Sequence, residues 1–356
     1  MHIESLSFPV LLAIFLTAAA AIWIAGIQLS NTTDILSNRF GLGEALGGMI
    51  ILAIVTNLPE IAIVVSASLE NKMGIAIGNI LGGIAIQTVV LVLLDLFGLG
   101  REDSLTYKSA SLVLVLEGLL VLAVLSLVIV GNQLPPNVIF LRVTPADILI
   151  FSAWIVGIVL INKARKDLPW IANFKVPGGQ EEPQGHSKIK KSEQATKDNT
   201  STKKAVFIFL FCALVTLIAG VALERSGDAM ATHLGMQGVI FGATILAAAT
   251  SLPELSTGLA SIKMKDYQMA VSDIFGGNSF LPVLFLIASL CSGKAVLPLA
   301  QKTDIYLTAV AMILTSVYIW GLFFRPRLQI LFMGLDSFIV LVLYMLGLAG
   351  LIAIGP

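Results

Sequence analysis

Long apolar runs separated by short polar breaks make up most of the chain. Ten of them are long enough to cross a bilayer, which takes about 20 residues of helix. They lie near 9–29, 44–69, 74–98, 108–130, 145–162, 205–223, 234–262, 266–292, 304–324 and 331–354. One stretch breaks the series. Residues 163–204 are polar and basic, contain Pro177, Gly178, Gly179, Pro183 and Gly185, and read as a disordered linker. The pattern therefore predicts an all-α polytopic membrane protein of ten transmembrane helices: five spans in 1–162, a polar linker at 163–204, and five spans in 205–356.

Composition agrees with the pattern. Of 356 residues, 57% are hydrophobic and 12% charged, and the mean hydropathy is +0.93. These values exclude an ordinary soluble domain. The net charge of zero gives no reason to expect a nucleic-acid partner. Cys212 and Cys291 lie in separate apolar runs and offer neither a disulfide framework nor metal-ligand spacing. His2, His186 and His233 are scattered, which argues against a His-based metal centre. No basic segment precedes the first apolar run, so that run reads as a retained helix.

Basic residues set an expected orientation. Of the 22 Lys and Arg, 17 fall in the segments after spans one, three, five, seven and nine, counting Lys108 at the very start of span four, and none falls in the interior of a predicted span. By the positive-inside rule the 163–204 loop is cytoplasmic and both termini are outside, as expected for a plasma or inner membrane protein. An odd number of spans in each half makes the two halves inverted with respect to one another.

Within these spans one motif occurs twice. Thr56-Asn57-Leu58-Pro59-Glu60 in span two matches Thr250-Ser251-Leu252-Pro253-Glu254 in span seven, and the match extends without a gap through Ala76, Ile80, Gly82 and Gly83 against Ala270, Ile274, Gly276 and Gly277. A proline inside a helix lacks an N–H and pushes away the carbonyl four residues earlier, here those of Val55 and Ala249. In hydrocarbon a freed carbonyl must be satisfied, and a cation can do so. Thr56, Asn57, Thr250 and Ser251 add hydroxyl or amide oxygens on the same turn, and Glu60 and Glu254 add carboxylates. This all-oxygen set suits a hard cation. Buried acids in membrane helices mark ion sites, and inverted broken helices can meet at the midplane. Asn79 and Asp273 occupy equivalent positions in the following spans. Gln87 and Asn278 are polar and placed to line the same cavity. Glu117 lies mid-span in span four with no partner in the other half, and Asp95 is expected near the membrane interface.

These residues resemble the sodium/calcium exchanger superfamily, the Ca²⁺:cation antiporters, whose members carry inverted repeats of the form GTSLPE followed by GNxxGSN. The matching segments are 56–60 with Gly78-Asn79-Ile80-Leu81-Gly82-Gly83, and 250–254 with Ser272-Asp273-Ile274-Phe275-Gly276-Gly277-Asn278. The resemblance implies ten helices in two inverted halves, alternating access, Glu60 and Glu254 as principal Ca²⁺ ligands, and help from Thr56, Thr250 and Ser251. The chain departs from the pattern at Gly83 and Gly277, where serine is usual, at Gln87 and Leu281, where Asn or Asp is usual, at Asn57 for serine, and at Asp273 for asparagine.

The expected function is a secondary antiporter exchanging Ca²⁺ for Na⁺ or H⁺, with inorganic cations and the lipid bilayer as partners, no nucleic acid and no cofactor. Transport of Mg²⁺ or Mn²⁺ on the same scaffold is the alternative. An intramembrane hydrolase built on the acids is a remote one, because aspartyl chemistry needs a second closely placed Asp.

Overall fold

The computed structural model describes residues 6–39, 54–100, 103–166, 201–236, 241–263 and 265–354. It is helical throughout apart from one two-stranded hairpin. In chain order the helices are α1 (Phe8–Arg39), α2 (Leu58–Leu69), α3 (Met73–Leu93), α4 (Leu105–Ser109), α5 (Leu112–Asn132), α6 (Pro145–Lys166), α7 (Thr202–His233), α8 (Ala247–Thr250), α9 (Leu252–Lys263), α10 (Tyr267–Phe280), α11 (Leu284–Ser292), α12 (Lys302–Phe324) and α13 (Leu335–Ile354). α3 runs on into a wider π turn, Leu94–Leu99, and another π turn, Gly242–Leu246, leads into α8.

Among the described residues eight helices are long and apolar enough to cross a membrane. A ninth is counted if the Gly242–Thr250 and Leu252–Lys263 pair, bent by 46°, is one broken span. The bend falls where Pro253 removes a helix hydrogen bond. α2 is a shorter apolar helix, and the start of its predicted span, 44–53, lies outside the described residues, as does 167–200 of the linker.

Several boundaries depart from expectation. α6 continues through Lys166, and α7 spans Thr202–His233 where 205–223 was expected. Apolarity marks only the lipid-facing length of a helix, and an apolar run ends at the first charge although the backbone goes on. Predicted span eight is divided at a 3₁₀ turn, Leu281–Val283, by Pro282. The expected start of span ten is the hairpin Gln329–Ile330 against Met333–Gly334, whose turn residues Leu331 and Phe332 both have positive φ. A matching bridge joins Phe140 to Val143 ahead of α6, again over two positive-φ residues, Leu141 and Arg142. The same entry device thus precedes the last long helix on each side of the linker.

The largest core cluster unites α3, α5, α10 and α12 around Ile80, Leu81, Ile84, Ile274, Phe275, Leu281, Phe285, Leu314 and Tyr318. α1 and α7 pack on one another and contribute to separate, smaller clusters. They meet the broken helices through glycine. A Cβ on Gly26 would stand 2.8 Å from Pro253 Cβ, and one on Gly220 would stand 3.0 Å from the Pro59 carbonyl oxygen. Gly26 and Gly220 are separated by the same offset as Glu60 and Glu254, so each half lays its glycine on the proline of the other.

Gly82 makes the tightest approach to another backbone. A Cβ there would lie 2.2 Å from the backbone Cα of Ala243, in the π turn before α8. Backbone cannot give way as a flexible side chain can, so Gly82→Ala is expected to separate α3 from that turn. A loss of about 1–3 kcal/mol, the usual effect of overpacking, should appear as a lowered unfolding midpoint of the purified protein.

Candidate cation-binding site

The two motifs fold alike. Asn57 (φ −89°, ψ 15°) and Ser251 (φ −81°, ψ 3°) form the same backbone break, and each is followed by a helix that starts Leu-Pro-Glu. At the second break the hydroxyls of Thr250 and Ser251 and the Ser251 N–H all donate to the Ala247 carbonyl, at 3.1, 2.8 and 3.0 Å. A hydroxyl used as a donor keeps its lone pairs, so both oxygens remain able to ligate.

All ten predicted site residues are buried. Glu60 and Glu254 are 0% and 1% exposed and are electrostatic neighbours, with Asp273 next to Glu254. Thr250 and Gln87 lie beside Glu60, yet neither Glu60 oxygen accepts a hydrogen bond, and Glu254 Oε2 accepts none. Gln87 joins the halves, its Nε2 lying 3.4 Å from Asn57 Oδ1 and 3.5 Å from Glu254 Oε1. The structure thus gathers Glu60, Glu254, Thr250, Asn57 and Gln87, with Asp273 alongside. Asn278 turns away to donate to Thr88 Oγ1 at 3.1 Å. Asn79 lies under the Gly242 turn, and its side-chain amide has no hydrogen-bond partner.

The departures from the family pattern have a spatial logic. A Cβ on Gly277 would stand 3.1 Å from Asn57 Nδ2 and 3.2 Å from Gln87 Oε1, while one on Gly83 would stand 3.3 Å from Leu281 Cδ1. Gln87 and Leu281 are equivalent positions, so each glycine receives the larger side chain of the opposite half. On one side that side chain is an amide whose oxygen occupies the neighbourhood of the missing serine hydroxyl. On the other it is a leucine, which closes the space with hydrocarbon.

Sequence reasoning missed three partners. Thr257, one turn beyond Glu254, donates to the Glu254 carbonyl at 3.1 Å and to Asp273 Oδ2 at 2.7 Å; its i+3 spacing from Glu254 was the available signal. Glu224 is buried on α7 and accepts a hydrogen bond from Ser66 at 2.9 Å. It had been placed just past the end of its span. Arg165 was assigned to the linker, but at the end of α6 it pairs with Glu117 at 2.8 Å and donates to Ser272 at 3.1 Å. Glu117 is therefore an ion-paired residue. Asp95, expected at the interface, is buried and receives the Leu105 and Gly334 N–H groups at 2.8 and 2.7 Å.

Beyond the end of α2 the charges are compensated. Lys72 pairs with Glu70 at 2.7 Å and Asp228 at 2.8 Å, and Arg225 pairs with Glu70 at 2.7 Å. The Lys72 ammonium, hydrogen-bonded to Glu70, holds that carboxyl below its ordinary value. Among the described residues no such cation pairs with Glu60 or Glu254, and no cluster of three or more His, Cys, Asp or Glu side chains suited to a metal forms. The charged donors at the centre come as a pair.

The family model described as sodium/calcium exchanger protein matches residues 10–161 and 204–353. The chain belongs to the sodium/calcium exchanger family. It is an integral membrane protein and a transporter of inorganic cations rather than an enzyme. It is 26% identical over 295 residues to inner membrane protein YrbG of Escherichia coli (strain K12), covering 82% of this chain and 83% of that one. With the putative antiporter CaxA of Alkalimonas amylolytica it shares 23% identity over 261 residues, 73% of each chain. Among solved structures, the H⁺/Ca²⁺ exchanger CAX superposes with a TM-score of 0.60 at 14% identity, over 96% of this chain and 88% of that one. The sodium-calcium exchanger NCX_Mj superposes with a TM-score of 0.58 at 17% identity, over 96% and 98%. The fold is that of these exchangers.

Proposed function

We propose that this protein is a secondary antiporter that exchanges Ca²⁺ for Na⁺ or H⁺ at a single midplane site held by Glu60 and Glu254. The observation that carries the reading is the buried pair itself: two neighbouring carboxylates on matching proline-broken helices, neither paired with a cation among the described residues, with Thr250 and Gln87 beside Glu60 and with Gln87 reaching Asn57 and Glu254. Two ionised carboxylates enclosed in a membrane protein repel one another and lack solvation. A divalent cation relieves both penalties at once. Na⁺ or protons relieve them in turn, so occupancy by one species excludes the other and links the two fluxes.

The ten-span plan supports this reading. In it, family matches on either side of 163–203 correspond to two inverted five-helix halves, with the linker cytoplasmic and both termini outside. The reciprocal seating of Gly26 on Pro253 and Gly220 on Pro59 gives the α1–α7 pair a smooth surface at the level of the breaks. Movement of that pair against the remaining core would open the site to one side and then the other, and a loaded, neutralised site would cross more easily than an empty, charged one.

The test is ⁴⁵Ca²⁺ uptake into proteoliposomes containing the purified protein. Uptake driven by an outward Na⁺ or H⁺ gradient, and collapsed when the gradient is removed, is the expected result. Competition by Mg²⁺ and Mn²⁺ measures selectivity, and uptake of either in place of Ca²⁺ would replace the named substrate. Binding before transport is read separately. Ca²⁺ at about 100 times its dissociation constant should stabilise the detergent-solubilised protein by about 2.7 kcal/mol, seen as a raised melting temperature.

A further inference from the structure

Of the buried acids that the proposed transport site does not use, two stand together. Asp95 lies in the π turn that ends α3, and Asp336 lies in the first turn of α13. Their carboxylates converge on the bare face of Gly334. From the point where a Cβ would stand there, Asp336 Oδ1 is 2.6 Å away and Asp95 Oδ2 is 3.1 Å away, with Ser104 Cβ at 2.5 Å. Asp336 Oδ2 presses similarly on Gly321 of α12. Glycine at both positions is what makes room for the carboxylate.

Asp95 is anchored by two backbone N–H groups, each of which leaves its oxygen further acceptor capacity. Asp336 differs. It is 4% exposed, and neither of its oxygens accepts a hydrogen bond among the described residues. Buried hydroxyls border the pair: Thr106 beside Asp336, Ser104, and Ser337, which is hydrogen-bonded to Tyr318 at 3.1 Å. The nearby arginines are directed to Tyr107. Arg325 donates to its carbonyl at 2.7 Å, Arg327 contacts its hydroxyl, and both guanidinium groups stack 4.8 Å over its ring. Among the described residues neither Asp is ion-paired.

The opposite hairpin shows that the fold does not require such a pair. There Thr144 and Asp147 cap the helix start reciprocally, at 2.9 and 3.2 Å, and the position equivalent to Asp95 is Ser289. Among the described residues the opposite hairpin has no such acid pair.

We propose that Asp95 and Asp336, with the hydroxyls of Thr106 and Ser337, form a second binding site for a hard divalent cation of the Ca²⁺ class, separate from the Glu60–Glu254 site. Two carboxylates match the charge of one divalent ion, and the donors are all oxygen, which disfavours softer metals. The enclosure leaves little water, which suits Ca²⁺, an ion that accepts many protein ligands, better than Mg²⁺, which keeps its hydration. A bound ion would tie the end of α3 to α4 and to the start of α13.

The experiment is equilibrium binding of ⁴⁵Ca²⁺ to the full-length purified protein carrying Glu60→Gln and Glu254→Gln, so that transport-site binding does not contribute. About one retained Ca²⁺ per chain is expected, with affinity falling more than tenfold when Asp336→Asn is added. Absence of Ca²⁺ binding in the double variant, or unchanged affinity after Asp336→Asn, would overturn the proposal. If the Asp336 variant does not fold, Thr106→Val with Ser337→Ala in the same background serves instead. A clear weakening supports the site and an unchanged isotherm refutes it. Because the measurement is made without the central glutamates, its outcome is independent of whether the protein transports Ca²⁺.

Discussion

Glu254→Gln will abolish Ca²⁺ flux in proteoliposomes and weaken Ca²⁺ binding at the central site by about 100-fold or more, the scale on which ligand charge sets the affinity of calcium sites. The substitution changes one oxygen to an amide nitrogen and hardly alters volume. It removes half of the facing charge that a divalent ion would neutralise, and it puts an N–H₂ group where a cation ligand is needed. Glu254 Oε2 is buried without a hydrogen-bond partner, so no native protein contact at that oxygen is lost. Replacing one of two facing carboxylates also relieves repulsion. The ion-free variant should therefore melt at or above the temperature of the native protein while no longer being stabilised by Ca²⁺. Loss of flux together with a lower ion-free melting temperature would indicate a structural role instead. Glu60→Gln should behave alike, since the two breaks are equivalent.

The second large effect concerns stability. Arg165→Gln will destabilise the protein by about 3 kcal/mol, because removing one partner of a buried ion pair strands the other. Glu117 is 2% exposed, its Oε1 is held by Arg165, and its Oε2 accepts no hydrogen bond. Arg165 itself is 14% exposed and sits at the end of α6, where its long side chain can reach water. The converse variant, Glu117→Gln, should therefore cost less. The double variant should recover most of the stability lost in Arg165→Gln, since no uncompensated charge remains. Denaturant unfolding of the four proteins gives the coupling directly; simple additivity would mean that the pair contributes nothing as a pair. The same guanidinium holds Ser272, the neighbour of Asp273, so Arg165→Gln should also alter the affinity of the central site.

Most of the span plan was legible because apolar length is a direct physical requirement of the bilayer. The motif was legible because proline followed by a carboxylate in hydrocarbon has few structural uses, and its recurrence at a fixed offset removed most of those. That offset held more than was drawn from it. Gly26 and Gly220 obey it too, and their seats on Pro253 and Pro59 follow from it. What could not be read were contacts made by residues at the ends of apolar runs. Glu224 and Arg165 stood one to three residues beyond predicted boundaries. Hydropathy falls at a charge, whereas a helix ends only when its backbone hydrogen bonds do, so both residues lay on helix and turned inward. The burial of Asp95 was hidden for a related reason: proximity to a span end says nothing about whether a hairpin from the far end of the chain folds over it. The departure from serine at Gly277 could not be interpreted from sequence, because the approach of Asn57 and Gln87 to that glycine is visible only in the packing.

Long-wavelength diffraction from crystals grown with Ca²⁺ would test the central claim most directly, because the anomalous signal locates the ion itself. A peak about 2.3–2.6 Å from at least one carboxylate oxygen of Glu60 and one of Glu254 is the predicted result. A Ca²⁺ peak touching only one of the two, or central density found elsewhere in the bundle with both glutamates unliganded, would contradict it.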